Sequence, residues 1–164
     1  MKKLFLMLML LAPMAMFAQK FGRVNTQAIM QAMPELAKAN GELAAEQKKY
    51  ENDLKAMQDE LTRKSQEYDK TKATMNATKQ QETETELQTM YQKIQQTFQD
   101  NQQALQKKSN ELMEPIVTKV RNAISAVGKA GAYTYILEEG SALYMGDAVK
   151  DVTADVKAQL AKMK

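Results

Sequence analysis

The chain has 164 residues, a formal net charge of +3, a mean hydropathy of −0.53, and no Cys, His or Trp. Without Cys and His there is no thiol nucleophile, no imidazole base, no disulfide and none of the usual zinc ligand sets. Only 6% of residues are aromatic, too few for a large globular core, and six Gly with three Pro suit long uninterrupted helices.

The chain opens on MKKLFLMLMLLAPMAMFA (1–18), in which Lys2 and Lys3 precede an apolar run. That run is too short to span a bilayer, and Ala18 supplies a small residue for cleavage, so the segment reads as a secretory signal peptide. No later stretch is apolar enough to cross a membrane. Removing 1–18 leaves 21 basic against 20 acidic residues. This near-neutrality disfavours a nucleic-acid partner and leaves room for no more than weak membrane-surface contact.

Phe21 to Val24 can form a short strand. Asn25 or Thr26 is a good cap for a short helix carrying Ile29, Met30 and Met33. Pro34 and Glu35 then suit the start of a long helix. Leu36, Leu43, Tyr50 and Met57 are seven residues apart, as are Leu54, Leu61, Tyr68 and Met75. The two rows are offset by four and make one apolar stripe. The stripe fails in DKTKATMNATKQQETETE (69–86), where weak helix formers predict a reversal near Asn76. Leu87, Met90, Tyr91, Ile94 and Phe98 restart it, and Tyr91, Phe98, Leu105 and Leu112 keep the spacing of seven. Two helices with matched narrow stripes can zip into an antiparallel hairpin.

Glu114-Pro115 predicts a break or kink. A more apolar helix with Ile116, Val120, Ala123, Ile124 and Val127 follows, ended by Gly128 and Gly131. Tyr133, Tyr135 and Leu137 alternate as in a strand, EEGS (138–141) reads as a turn, and Ala142 to Met145 reads as the partner strand of a β-hairpin. Thr153 is a candidate cap for a last helix with Val152, Val156 and Leu160 on one side. The expected fold is α+β and mostly α, a long antiparallel helical hairpin (34–114, tip near 70–84) projecting from a small β-rich body (19–33 and 115–164). So small a body has little core of its own and exposed strand edges, which points to self-association. Phe21, Val24, Ile116, Val120, Ile124, Tyr133, Tyr135, Leu137, Leu143 and Tyr144 are the candidate assembly residues.

FGRVNTQAIMQAMPE (21–35) and YTYILEEGSALYMGDAVKDVTADVKAQL (133–160) are similar to the flanking blocks of the Skp/OmpH family of periplasmic chaperones. The C-terminal block is the specific part. The resemblance implies a homotrimer whose helical arms surround a cavity and hold unfolded outer-membrane proteins without ATP.

For contact with such clients, Tyr50, Met57, Tyr68, Met75, Met90, Tyr91 and Phe98 are candidates, because Met and Tyr adapt to varied partners. The simpler reading places them in the seam between the two helices. Ala44, Ala45, Ala56 and Ala73 are alternative cavity-lining residues. Arg63, Lys64, Lys70, Lys72 and Lys79 oppose only Glu67 and Asp69 between 62 and 79, predicting a positive tip that steers acidic client segments. Carboxylate pairs such as Asp59–Glu60 have no pocket to shift their pKa, so no enzyme activity, cofactor or metal is expected. A coiled-coil structural or adaptor protein of the cell envelope is the competing function.

Overall fold

The computed structural model describes residues 19–163, so the segment read as a signal peptide lies outside the described residues. Chain order is β1 (Phe21–Val24), α1 (Thr26–Gln31), α2 (Pro34–Thr71), a 3-10 turn (Lys72–Thr74), α3 (Ala77–Ala130), β2 (Tyr135–Glu138), β3 (Lys150–Asp151) and α4 (Thr153–Leu160). The fold is α+β and mostly helical. Two units are distinguished: residues 27–121, and the chain ends up to Thr26 and from Asn122. No helix among the described residues is long and apolar enough to cross a membrane.

In the unit of residues 27–121, Pro34 occupies the first turn of α2, where its missing N–H costs nothing. Ile29, Met33, Ala39, Ile94, Ile116 and Val120 are the buried apolar residues. Helix α2 has 38 residues and contributes only Ala39 to that set, which shows how thin the seam is. Polar ties supplement it. Lys119 Nζ donates to Glu35 Oε1 at 2.7 Å, Lys108 faces Glu42 at 3.9 Å, and the Tyr68 hydroxyl donates to Glu84 at 2.7 Å. Lys64 pairs with Glu86. These partners drawn from the two helices run in opposite chain directions and mark an antiparallel hairpin.

Helix α3 does not break at Pro115; it runs on through it. The proline removes one helical hydrogen bond and crowds the carbonyl of Glu111, a cost of about 3 kcal/mol. Burial of Ile116 and Val120 directly beyond it holds the helix together. The reversal forms without Gly or Pro. Asn76 caps α3, its side-chain oxygen accepting the Lys79 N–H at 2.8 Å. The Gln80 amide donates to the carbonyls of Lys72 (2.9 Å) and Met75 (3.1 Å), locking the turn from inside.

In the other unit, β1 is the middle strand of a three-stranded sheet of order β2-β1-β3, and both neighbours are parallel to it. Phe21 lies opposite Tyr135, Arg23 opposite Leu137 on one side and Asp151 on the other. The expected β-hairpin is therefore absent: residues 142–145 are not a strand. The EEGS turn does form, with Ser141 N donating to the Glu138 carbonyl at 3.0 Å and Gly140 at φ +85°. A turn with positive φ at its third residue has the wrong twist to return a strand alongside β2. Val24, Ala123, Val152, Val156 and Leu160 are the unit's buried apolar residues.

Two local details differ from expectation. Thr153 begins α4 but does not cap it: its hydroxyl accepts the Asn25 N–H at 3.0 Å, while Asp151 Oδ1 accepts the Thr153 N–H at 2.9 Å. At the end of α3, Tyr133 N donates to Gly128 O at 3.0 Å and Ala132 N to Lys129 O at 3.3 Å, a Schellman closure. The residue with positive φ in it is Ala132 (φ 51°), not a glycine. Gly131 serves a different need, since a Cβ there would lie 2.4 Å from the Tyr133 ring.

Ala132→Gly should therefore raise stability by about 1 kcal/mol by relieving the left-handed conformation, and Gly131→Ala should lower it by about 1–3 kcal/mol through overpacking. Urea denaturation midpoints at one fixed protein concentration check both. The hydrogen bond from Lys119 holds the Glu35 carboxyl below its ordinary value of 4.5. A carboxylate with a depressed pKa stabilises fully above that ordinary value and ceases to do so as pH falls through its folded pKa. Thermal unfolding of residues 19–164 should lose stability below pH 4.5, and Glu35→Gln should remove part of that loss; identical pH profiles would exclude this pair as a contributor.

Candidate functional site

Two surfaces present the residues singled out from sequence, one in each unit. The first is the helical hairpin. Its seam is set by heptad geometry: residues three and four apart on α2 and α3 face the partner helix. Tyr50, Met57, Tyr68, Met75 and Met90 are half-buried, as a seam requires. Tyr91 and Phe98 differ. Each residue is 52% exposed, and they stand on the flank of α3 rather than inside the seam. The inward rows of α3 are Leu87–Ile94–Asn101 and Met90–Thr97–Ala104, two of which, Thr97 and Asn101, are polar. The Asn101 side-chain nitrogen is buried without a hydrogen-bond partner in the structure. Ala44, Ala45, Ala56 and Ala73 are all exposed.

The tip does not carry the positive field read from residues 62–79. Acids three or four residues along the chain take up most of the cations, and Glu86 on the returning helix takes up Lys64. Arg63 pairs with Glu60 (2.7 Å) and Glu67 (3.2 Å), Lys72 with Asp69 (3.3 Å), Lys79 with Glu82 (3.2 Å) and Lys64 with Glu86. The consequences are local and consistent in sign. The hydrogen bond to Arg63 lowers the Glu60 carboxyl, the one to Glu86 raises the Lys64 ammonium, and the one to Glu84 raises the Tyr68 hydroxyl. Lys70 is the one tip cation of the five with no ion pair among the described residues. Exposed pairs like these are worth little each, but they cancel the long-range attraction a basic tip would exert.

Beside Tyr91 the two helices leave an open groove of about 470 Å³, floored by Leu61 and Leu87 and edged by Thr62, Ser65, Gln66, Glu84 and Gln88. A second, more apolar groove of about 320 Å³ lies at Pro115, between Met33, Ala39, Leu112 and Ile116, with Glu35 and Lys119 on its rim. Neither gathers groups suited to bond-making chemistry, and no metal-binding cluster exists among the described residues.

The second surface is the outer face of the sheet and the loop after it. Alternation along β1 sends Gly22 and Val24 inward and Phe21 and Arg23 outward. Phe21 stacks on Tyr135, with ring centres 6.1 Å apart and planes 5° from parallel. Arg23 lies 3.8 Å from both Glu139 and Asp151. The Asp151 carboxyl is lowered, chiefly by the Thr153 N–H. Phe21, Tyr135 and Leu137 are exposed, and Leu143 and Tyr144 are almost wholly in solvent (110% and 85%). Among the other candidate assembly residues, Ile124 and Tyr133 are half-buried, while Val24, Ile116 and Val120 are already covered within the single chain.

Sequence reasoning placed the reversal near Asn76 but missed the capping role of Asn76 and the lock by Gln80, and it missed the glutamines around Tyr91 and Phe98. A cap signature before a polar helical run would have found the first. A search for positions without charge would have found the last.

The family model for outer membrane protein (OmpH-like) matches residues 20–160. Among solved structures, a candidate outer membrane chaperone (OmpH-like) from Caulobacter crescentus CB15 is similar with a TM-score of 0.77 at 16% identity, over 89% of this chain and 86% of that one. At that identity the likeness is one of fold. Among curated proteins, none matches the sequence. With the family model spanning strand, hairpin and C-terminal unit alike, this chain is a member of the OmpH-like outer membrane protein family.

Proposed function

We propose that the protein is an ATP-independent holdase of the periplasm. It binds unfolded outer-membrane proteins between the helical arms of a homotrimer and keeps them from aggregating. The observation that carries this reading is the pairing of a long, thin helical hairpin with a small sheet whose apolar outer face is uncovered in the single chain. Leu143 and Tyr144, both in solvent, and the exposed Phe21, Tyr135 and Leu137 are the side chains a second and third copy would cover. The chaperone named for the similar Caulobacter structure and the family match support the client class. The signal-like residues 1–18 support passage across the inner membrane.

Each arm offers shallow apolar contacts in the open grooves beside Tyr91 and at Pro115. Several arms acting on one client convert weak contacts into useful affinity through effective concentration. Weak contacts at many places also break without nucleotide hydrolysis, so the client can leave when it reaches a better partner.

Dilution of a urea-denatured outer-membrane β-barrel protein into the purified mature protein should leave it soluble without ATP, at about one trimer per client. Unchanged precipitation across protein concentration would reject the holdase reading and leave a coiled-coil adaptor. Removing residues 45–105 cuts matched lengths from both helices, because the Glu42–Lys108 pair lies just outside the cut. With a short glycine linker, that deletion should keep the oligomer and abolish holding. Leu143→Asp should lower oligomer mass in sedimentation at low micromolar concentration; an unchanged mass would remove the loop from the assembly contact.

A further inference from the structure

Between Leu87 and Gln106, α3 carries only two charges, Lys93 and Asp100, and they are seven residues apart on one row of the helix. Around from the seam lie three uncharged rows: Tyr91, Phe98 and Leu105; then Gln88, Gln95 and Gln102; then Gln92, Gln99 and Gln106. Every one of these nine residues is exposed except Leu105, which is half-buried. The rows span about 30 Å of helix at 1.5 Å per residue. Surface helices of this kind usually carry charge on the face turned to water. Here the water-facing side instead carries aromatic rings bordered by neutral amides.

The amides are also free. Gln106 donates to Asn110, but the side chains of Gln88, Gln92, Gln95, Gln99 and Gln102 make no hydrogen bond to protein among the described residues. A glutamine amide presents the same donor and acceptor as a peptide group. An unfolded β-barrel strand in water has the complementary needs: apolar side chains on alternate residues and unpaired backbone N–H and C=O groups.

We infer that this charge-free aromatic and glutamine face of α3 is where the arm takes up an extended, unfolded polypeptide. Tyr91 and Phe98 accept its apolar side chains, and the glutamine rows pair with its backbone. The groove of about 470 Å³ beside Tyr91 gives one such side chain a seat on Leu61 and Leu87. The inference rests on the holdase reading and adds the surface and the mode of contact. A second copy of this chain fits the face poorly. Two half-exposed rings offer roughly 200 Å² of apolar surface, against about 800 Å² per partner in a stable interface. That deficit suits a client held weakly at many points. The absence of charge makes the contact insensitive to salt and indifferent to client charge, unlike capture by a basic tip.

The test uses the full mature chain and a urea-denatured outer-membrane β-barrel protein as probe. Because the chain has no Cys, a single cysteine bearing a benzophenone can be placed at Gln95→Cys or, on the charged row, at Lys93→Cys. Crosslinking to the client is expected from the first and not from the second; equal yields overturn the assignment. Tyr91→Gln with Phe98→Gln should weaken client binding by about tenfold, with helix content and oligomer mass unchanged. The wild-type affinity should move less than about threefold between roughly 50 and 500 mM salt; a larger fall would overturn the charge-free mode. If the double variant binds as well as wild type, this face is rejected and the holdase reading stands. If wild type itself holds no client, both are rejected. A change in oligomer mass in the double variant would make the face a contact between copies and reject it as the client surface.

Discussion

The organising constraint is the parallel pairing of β1 with strands that follow it by more than a hundred residues. Phe21–Val24 accepts β2 on one edge and β3 on the other. Parallel neighbours cannot be joined by a tight turn, so the chain between β1 and β2 has to travel out and return. Here that crossover runs through α1, α2, the 3-10 turn and α3. The small sheet thereby ties together the two ends of the described chain, as the Val152 N–H to Arg23 carbonyl bond of 2.9 Å records at residue level.

A hairpin of two long helices packed along one narrow stripe has a thin seam. Ala39 is the one buried residue of α2, and the inward rows of α3 admit Thr97 and Asn101. Apolar burial is therefore modest, and ion pairs and side-chain bonds between the helices supplement it. The same thinness frees most of each helix surface. On α3 that freedom is spent on rings and amides; near the tip it goes to charges that cancel one another. A surface of this kind offers chemistry rather than shape, with rings for apolar groups and amides matched to peptide groups.

The helices were legible because their signal is local. A spacing of seven in Leu36–Leu43–Tyr50–Met57 needs only its own helix and one partner face. The misreadings all involve distance along the chain. Alternation in 133–138 marks a strand truly, but it does not name the partner, and the nearest apolar run, 142–145, was the wrong one. Pro115 marks a weak point, yet burial of Ile116 and Val120 decides whether the helix survives it. The cations of 63–79 form a basic cluster in sequence. Acids three or four residues away pair with Arg63, Lys72 and Lys79, and Glu86 on the returning helix pairs with Lys64. Tyr91 and Phe98 keep the heptad spacing and so resemble seam residues, although a row on the flank repeats with the same period as a row inside.

Sequence alone determined the class of the fold, the two long helices and the absence of Cys and His chemistry, since these depend on composition and on periodicity within one element. Only the tertiary structure decided the strand order, the Lys64–Glu86 pair across the tip and which aromatic residues face water. Each of those depends on what lies across from a residue, and neither propensity nor spacing carries that information when the neighbour is twenty or a hundred residues away.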